Sequence, residues 1–176
     1  MIASHRVLPT VAGCEAQPLG WNDPSSHEGT EDGGHVATRQ DFTDEEWSTL
    51  QKGLGGSGAL VSVSDRDFTD TFGEASALSK FLAGQQVAAT NELVRELAKS
   101  RGTGFGLTTS PDRMRTETLA ALSSAVGTLG AKAPDDLGPY RELVLGVAQA
   151  VADAKGGETP VETAMIASIR EALGAD

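Results

Sequence analysis

Apolar residues recur at helical spacing along most of the chain after residue 40, and the clearest example lies near the C-terminal end. Tyr140, Val144, Val147 and Val151 follow one another at intervals of four, three and four, which places them on one face of a helix. Neighbouring leucine and alanine residues widen this face. The pattern therefore predicts a helix that is buried over much of its circumference.

Helix-start and helix-stop signals turn the same region into a hairpin. The pair Gly156-Gly157 predicts the end of the first helix, because glycine is a poor helix former that is common just beyond a helix end. Thr159 then predicts an N-cap, with Pro160 at the first helical position and Glu162 three residues past the cap. We expect two helices joined by a tight loop.

Similar signals predict the other helices. Thr43 and Glu46 have the spacing of a capping box before a short helix that buries Trp47, and the glycine-rich GLGGSG sequence is expected to end that helix. Residues 59–64 are compatible with helix or strand, and we predict helix because their surroundings are helical. Three further helices are expected. The first has Leu78, Phe81 and Leu82 on one face, and the second carries Val87, Leu93, Val94 and Leu97 and ends at about residue 100. The third starts at Ser110-Pro111 and has an apolar face formed by Leu119, Leu122, Val126 and Leu129. The predicted fold class is all-α, a compact bundle of about six or seven helices.

Residues 1–40 lack this periodicity. They contain all three histidines and the single cysteine, Cys14, and they are rich in Pro, Gly and Ser. We predict a disordered N-terminal tail over residues 1–40 and one helical domain over residues 41–176. Because the helical region has no His and no Cys, it lacks the usual base of nucleophilic catalysis and the usual ligands of zinc.

The charge of the chain narrows the choice of partners. It has 25 acidic and 14 basic residues and a formal net charge of -11. Such a charge repels phosphate backbones and anionic lipid headgroups, so neither nucleic acid nor a membrane is an expected partner. No apolar run approaches the roughly 20 residues that span a bilayer. We expect a soluble, cytoplasmic protein whose acidic surface favours a basic protein partner or a cation, and association into a homo-oligomer stays open.

Two glycine-rich stretches have a superficial likeness to phosphate-binding loops. Gly53, Gly55 and Gly58 have the G-x-G-x-x-G spacing, but they follow a capped amphipathic segment rather than a strand. The second stretch, at residues 102–106, is not followed by the Gly-Lys-Ser/Thr sequence that binds phosphate and magnesium. We interpret both stretches as helix-breaking loops.

Carboxylates are the remaining candidate chemistry. Asp65 precedes Glu74 by nine residues, Asp153 precedes Glu162 by the same interval, and each pair spans a helix–loop–helix junction. The apolar residues that follow the two pairs share their spacing: Ala77, Leu78 and Phe81 correspond to Met165, Ile166 and Ile169. This repetition predicts two pseudo-symmetric helical hairpins.

A pseudo-twofold axis between these hairpins would allow the four junction carboxylates to converge on one cation. Oxygen-only ligands suit Ca²⁺ or Mg²⁺. The alternative is structural, because Glu162 is also part of a capping box and an acidic residue before a turn is ordinarily solvated. The first junction is not an EF-hand, since Asp70 occupies the position of the required glycine.

The second junction, ADAKGGETPVE followed by an Ile-x-x-Ile-Arg helix, resembles the repeated hairpin of tellurite-resistance TerB-like domains. The resemblance covers residues 58–82 and 139–173. It implies an all-helical bundle with two pseudo-symmetric hairpins, and a divalent metal at the four junction carboxylates. The first hairpin departs from the pattern, because Arg66 rather than glycine follows Asp65. The chain is also similar to small, uncharacterised actinobacterial helical proteins, a likeness that carries no function.

These observations predict a non-enzymatic helical accessory or interaction module, acting in stress response, that binds a protein partner and holds a divalent cation at its acidic junctions. The alternative is a metal-dependent hydrolase or a small-molecule-binding protein, in which a metal held by the same carboxylates activates water. Convergence of these carboxylates around a concave pocket would favour the alternative.

Overall fold

The computed structural model describes residues 36–64, 71–100, 105, 109–154 and 159–175, without the side chains of residues 71, 72 and 74. Within these residues the chain forms six α-helices and no strand. The helices are α1 (Asp44–Ser64), α2 (Thr71–Ala88), α3 (Glu92–Leu97), α4 (Pro111–Lys132), α5 (Leu137–Ala154) and α6 (Pro160–Ala172). Short 3-10 turns precede α1 and α5, at Arg39–Asp41 and Pro134–Asp136. The predicted all-α bundle is confirmed.

Helix α1 lies at the centre of the bundle. It packs along α4 and α5, while α2 covers α5 and α6 contacts α1, α4 and α5. The predicted apolar face of α5, from Tyr140 to Val151, is fully buried in the main core. None of the described helices is long and apolar enough to cross a membrane.

The predicted N-caps are confirmed at three helices. At the start of α1, the Glu46 amide donates to Thr43 Oγ1 and the Thr43 amide donates to Glu46 Oε2. Ser110 accepts from the Arg113 amide at α4, where Pro111 takes the first turn. Thr159 caps α6 in the same way. These local bonds satisfy amides that have no partner within their own helix.

The expected break at GLGGSG is wrong, because α1 continues through it without interruption. The glycines face other helices at short range: a Cβ on Gly53 would lie 2.7 Å from Tyr140 Oη and 2.9 Å from Leu122 Cδ2. A Cβ on Gly56 would lie 2.5 Å from Thr118 Oγ1. Glycine therefore lets α4 and α5 approach the α1 backbone, and this packing offsets a helix-propensity cost of about 1 kcal/mol per glycine. The helical prediction for residues 59–64 is confirmed.

The predicted helix from Val87 to about residue 100 is also wrong. Val87 belongs to α2, where its side chain is 87% exposed, and the chain leaves the helix after Ala88. Asn91 then begins α3, because its Oδ1 accepts a hydrogen bond from the Val94 amide at 3.0 Å. Leu93, Val94 and Leu97 are buried as expected.

The packed domain extends further toward the N-terminus than residue 41. Residues 36–42, called here the N-terminal strap, bury Ala37 and Phe42, and Phe42 packs against Trp47 with the ring centroids 6.1 Å apart. The Arg39 amide donates to Glu96 Oε2 at 2.7 Å. Residues 36–40 thus pack on the body, whereas residues 1–35 lie outside the described residues and the tail there stays a prediction.

Candidate functional site

The structure describes both carboxylates of the second acidic junction but neither carboxylate of the first. Asp65 lies outside the described residues, and Glu74 belongs to α2 but its side chain is not described. Asp153 is exposed near the end of α5, where its Oδ1 accepts a hydrogen bond from Gln149 Nε2 at 3.0 Å. Glu162, by contrast, is fully buried in the first turn of α6.

The capping role that the sequence predicts for Glu162 is confirmed. Its Oε2 accepts from the Thr159 amide at 2.9 Å, while its own amide donates to Thr159 Oγ1 at 3.3 Å. This carboxylate therefore fixes the start of α6, where its charge also interacts favourably with the helix dipole.

Metal binding at the junctions stays a prediction. Among the residues that the structure describes, no group of three or more His, Cys, Asp or Glu side chains could hold a metal ion. The four-carboxylate site needs Asp65 and the Glu74 side chain, which fall outside that set. The matched apolar positions differ in burial: Ile166 and Ile169 belong to the buried core, whereas Leu78 and Phe81 are partly buried residues packed against it.

A groove of about 290 Å³ lies where the end of α2 and the start of α3 meet the first half of α5. The wall of the groove is polar and consists of the α2–α3 connection and one acidic residue of α5. Its floor is apolar and consists of buried residues of α3 and α5. The residues that define the wall and the floor are Gln85, Thr90, Asn91, Val94, Glu142 and Leu143.

Glu142 is the single ionisable residue among those that line the groove. Its side chain is exposed and forms no ion pair with the described residues. Val94 and Leu143 are buried and close the floor. The groove therefore combines one accessible negative charge with an apolar floor.

A hydrogen-bond network holds the polar wall of the groove in place. Asn91 Nδ2 donates to Asp136 Oδ1 at 2.5 Å, while Asn91 Oδ1 caps α3. Asp136 is only 1% exposed, and its second oxygen accepts from the Ala37 amide at 2.9 Å. A buried carboxylate thus links the groove to the N-terminal strap, and its hydrogen bonds offset the cost of removing it from water.

Helices α1 and α4 contain acids that are already paired. Glu117 accepts from Lys52 Nζ at 2.5 Å and from Arg113 Nε at 2.6 Å, and the hydrogen bond from Lys52 is the main reason that the pKa of Glu117 is lowered. Glu46 is paired with Lys132 at 2.6 Å, which lowers the pKa of Glu46 for the same reason. These pairs join α1 to α4.

The groove is formed by the break between α2 and α3, which the sequence pattern did not predict. Val87, Leu93, Val94 and Leu97 continue one helical spacing across the connection, which hid the boundary between α2 and α3. Asn91, a strong N-cap residue, was the available signal.

The known proteins give no further assignment. Comparison of the chain with family models, with curated proteins and with solved structures found no match in any of the three. The resemblance to TerB-like domains accordingly stays a prediction from the junction sequences.

Proposed function

We propose that this protein is a non-enzymatic interaction module that binds a basic protein partner through its acidic surface. One observation supports the proposal above the others: the chain has a net charge of -11, and the described structure already pairs several of its few cations with carboxylates. Those cations are Arg39, Lys52, Arg95, Arg113 and Lys132. The remaining carboxylates therefore dominate the field around the molecule.

The two buried carboxylates of the described core support a binding rather than a catalytic role. Asp136 accepts hydrogen bonds from the Ala37 amide and from Asn91, and Glu162 accepts one from the Thr159 amide. Both therefore serve the fold. A partner would be recognised by the exposed acids, which steer a cationic surface and hold it in a salt-dependent manner.

The charge proposal is tested with two peptides of opposite sign. We expect an octalysine peptide to bind the full chain measurably at about 20 mM salt and about tenfold more weakly at about 200 mM, because the screening length shortens with ionic strength. Octaglutamate is the control and should not bind. Equal binding of the two peptides, or binding of octalysine that is indifferent to salt, would contradict the proposal.

We further propose that the acidic junctions hold a divalent cation, and this proposal is tested separately. Calorimetric titration with Ca²⁺ and with Mg²⁺ should show heat for the natural chain and a reduced heat for Asp65→Asn/Asp153→Asn, because carboxylate oxygens are the ligands of these ions. Asp112→Asn/Asp135→Asn removes the same charge from exposed sites elsewhere and is the matched control. No heat, or identical heats for the natural chain and the junction variant, would contradict the proposal of a cation site.

A further inference from the structure

We propose that the groove between α2, α3 and α5 receives a single lysine or arginine side chain of the basic partner. This inference rests on the proposed function, since it names the place where an acidic surface would read an individual cationic residue. The groove, rather than the net charge, would then decide which basic segments bind well.

The size of the groove limits what it can hold. Small-molecule sites typically enclose about 300–1,000 Å³, so a groove of about 290 Å³ lies at the lower end of that range. A dinucleotide or a comparable cofactor would not fit. An extended side chain with a terminal charged group would fill the groove while its backbone stayed outside.

The charge of the groove selects a cation. Glu142 is accessible, and none of the described residues that line the groove is basic, so the charge of the lining favours a cation over an anion. Asp136, a buried residue that accepts a hydrogen bond from Asn91, places a second carboxylate one hydrogen bond behind this lining residue. A ligand ammonium or guanidinium group at Glu142 would form a charge-assisted hydrogen bond.

The apolar floor suits the rest of a basic side chain. Lysine and arginine have methylene stems that pack on apolar surface while the charged end stays in contact with polar groups. Val94 and Leu143 provide that surface, and Gln85 and Thr90 provide polar groups at the rim. This division matches a long amphipathic side chain better than a bare inorganic cation, which would need several oxygen ligands.

The groove is also held open before any ligand arrives. Asn91 is fixed on both sides, by the α3 amide that it caps and by Asp136, and Asp136 is fixed in turn by the strap amide of Ala37. A wall with fixed side chains loses little conformational entropy on binding.

The experiment uses ¹⁵N-labelled full chain and a neutral-flanked peptide, acetyl-Gly-Ser-Lys-Ser-Gly-amide, with its norleucine counterpart as the uncharged control. We expect the lysine peptide to shift the amide signals of Asn91, Val94 and Leu143, and the norleucine peptide to leave them in place. Glu142→Gln should weaken the affinity by up to about fivefold, the upper end of what one partly solvated ion pair contributes. The matched control, Glu171→Gln, removes an equal charge from the exposed side of α6 and should leave the affinity unchanged.

The outcomes separate this inference from the proposed function. Octalysine binding that Glu142→Gln and Glu171→Gln weaken equally, with no localised shifts, would overturn the groove and keep the acidic-surface proposal. Failure of octalysine to bind at all would overturn both. Because the groove is proposed to hold the side chain alone, n-butylammonium should shift the same amide signals as the lysine peptide, and its failure to do so would overturn the groove. Unchanged amide spectra outside the groove confirm that Glu142→Gln is folded, so loss of localised shifts reports binding.

Discussion

The glycines of α1 and those of α4 occupy the same secondary structure in opposite surroundings. On α1, Gly53 and Gly56 lie so close to neighbouring helices that an added Cβ would approach their side chains to within 2.7 and 2.5 Å. On α4, a Cβ added to Gly127 or Gly130 would meet no atom within 4 Å. The first pair lies in a tightly packed helix interface, called here the closed interface. The second pair lies on a side of α4 where no neighbour is in contact, called here the open face.

This difference shows that a helical glycine has no fixed structural meaning. Each glycine in a helix costs about 1 kcal/mol relative to alanine, because the unfolded chain gains freedom and the helix gains no side-chain contact. In α1 the cost is offset by close approach of α4 and α5. In α4 the described structure offers no packing that offsets it. Replacing glycines of α1 and of α4 by alanine tests this difference.

The largest effect is expected at Gly53, where an added Cβ would lie within 3.0 Å of side chains of both α4 and α5. Gly53→Ala should destabilise the fold by about 3 kcal/mol, because the new methyl group would collide with Tyr140 and Leu122, which are fully buried and cannot move aside. Urea unfolding followed by circular dichroism measures the change. Gly84→Ala, at an open position of α2, is the control. A loss below about 1 kcal/mol at Gly53 would show that the α1 interface yields easily.

Tyr140 provides a pH test of whether the same interface excludes water. Its hydroxyl donates to the Leu50 carbonyl at 3.1 Å, and full burial raises the pKa of Tyr140 well above its ordinary value of 10. The unfolded chain then loses this proton near pH 10 while the folded chain keeps it. The contribution of Tyr140 to the free energy of unfolding is therefore fully present below about pH 10. Above that pH the free energy of unfolding falls by about 1.4 kcal/mol per pH unit.

The control for this prediction is Tyr140→Phe, which removes the titrating group. Urea unfolding of both chains between pH 9 and pH 11, that is, about one unit on either side of the ordinary tyrosine pKa, should give a steeper loss for the natural chain. Parallel pH profiles would mean that water reaches the hydroxyl and that the interface is looser than the structure shows.

The contrast between local and tertiary information explains how much of the fold was predictable. The caps at Thr43, Ser110 and Thr159 were predicted correctly, since each depends on residues within one turn of the helix. The continuation of α1 through Gly53 was not, because it depends on Tyr140 and Leu122, which lie far away in the sequence.

The candidate sites follow the same rule. The capping role of Glu162 was visible in the sequence as a Thr-x-x-Glu pattern. The groove was not, since it combines Gln85 of α2, the N-cap residue Asn91 of α3 and Glu142 of α5. Their convergence depends on how α2 ends and on how α5 packs beneath it, and neither feature leaves a periodic signal in the chain.

A smaller effect of opposite sign is expected on the open face. Gly127→Ala should stabilise the fold by about 0.5–1 kcal/mol, because alanine is the better helix former and the added methyl group meets open space. The thermal unfolding midpoint measures it, and Gly130→Ala is a second test of the same face. A loss of stability that depends on protein concentration would instead show that a second copy of the chain covers this face, which sedimentation velocity would confirm.

The smallest effect is expected at Gly58, which lies between the two extremes. A Cβ there would approach Val147 Cγ1 to 3.1 Å, a contact that needs a shift of only a few tenths of an ångström, less than the contacts at Gly53 need. The cost of that shift and the helix-propensity gain of about 1 kcal/mol should nearly cancel in Gly58→Ala, so the urea midpoint should stay almost unchanged. Gly58→Val is the control, since its larger side chain would collide with Val147 and should destabilise. If Gly58→Ala were as damaging as Gly53→Ala, the α1 interface would be equally tight along its length, and distance to the neighbouring side chain would not grade the role of each glycine.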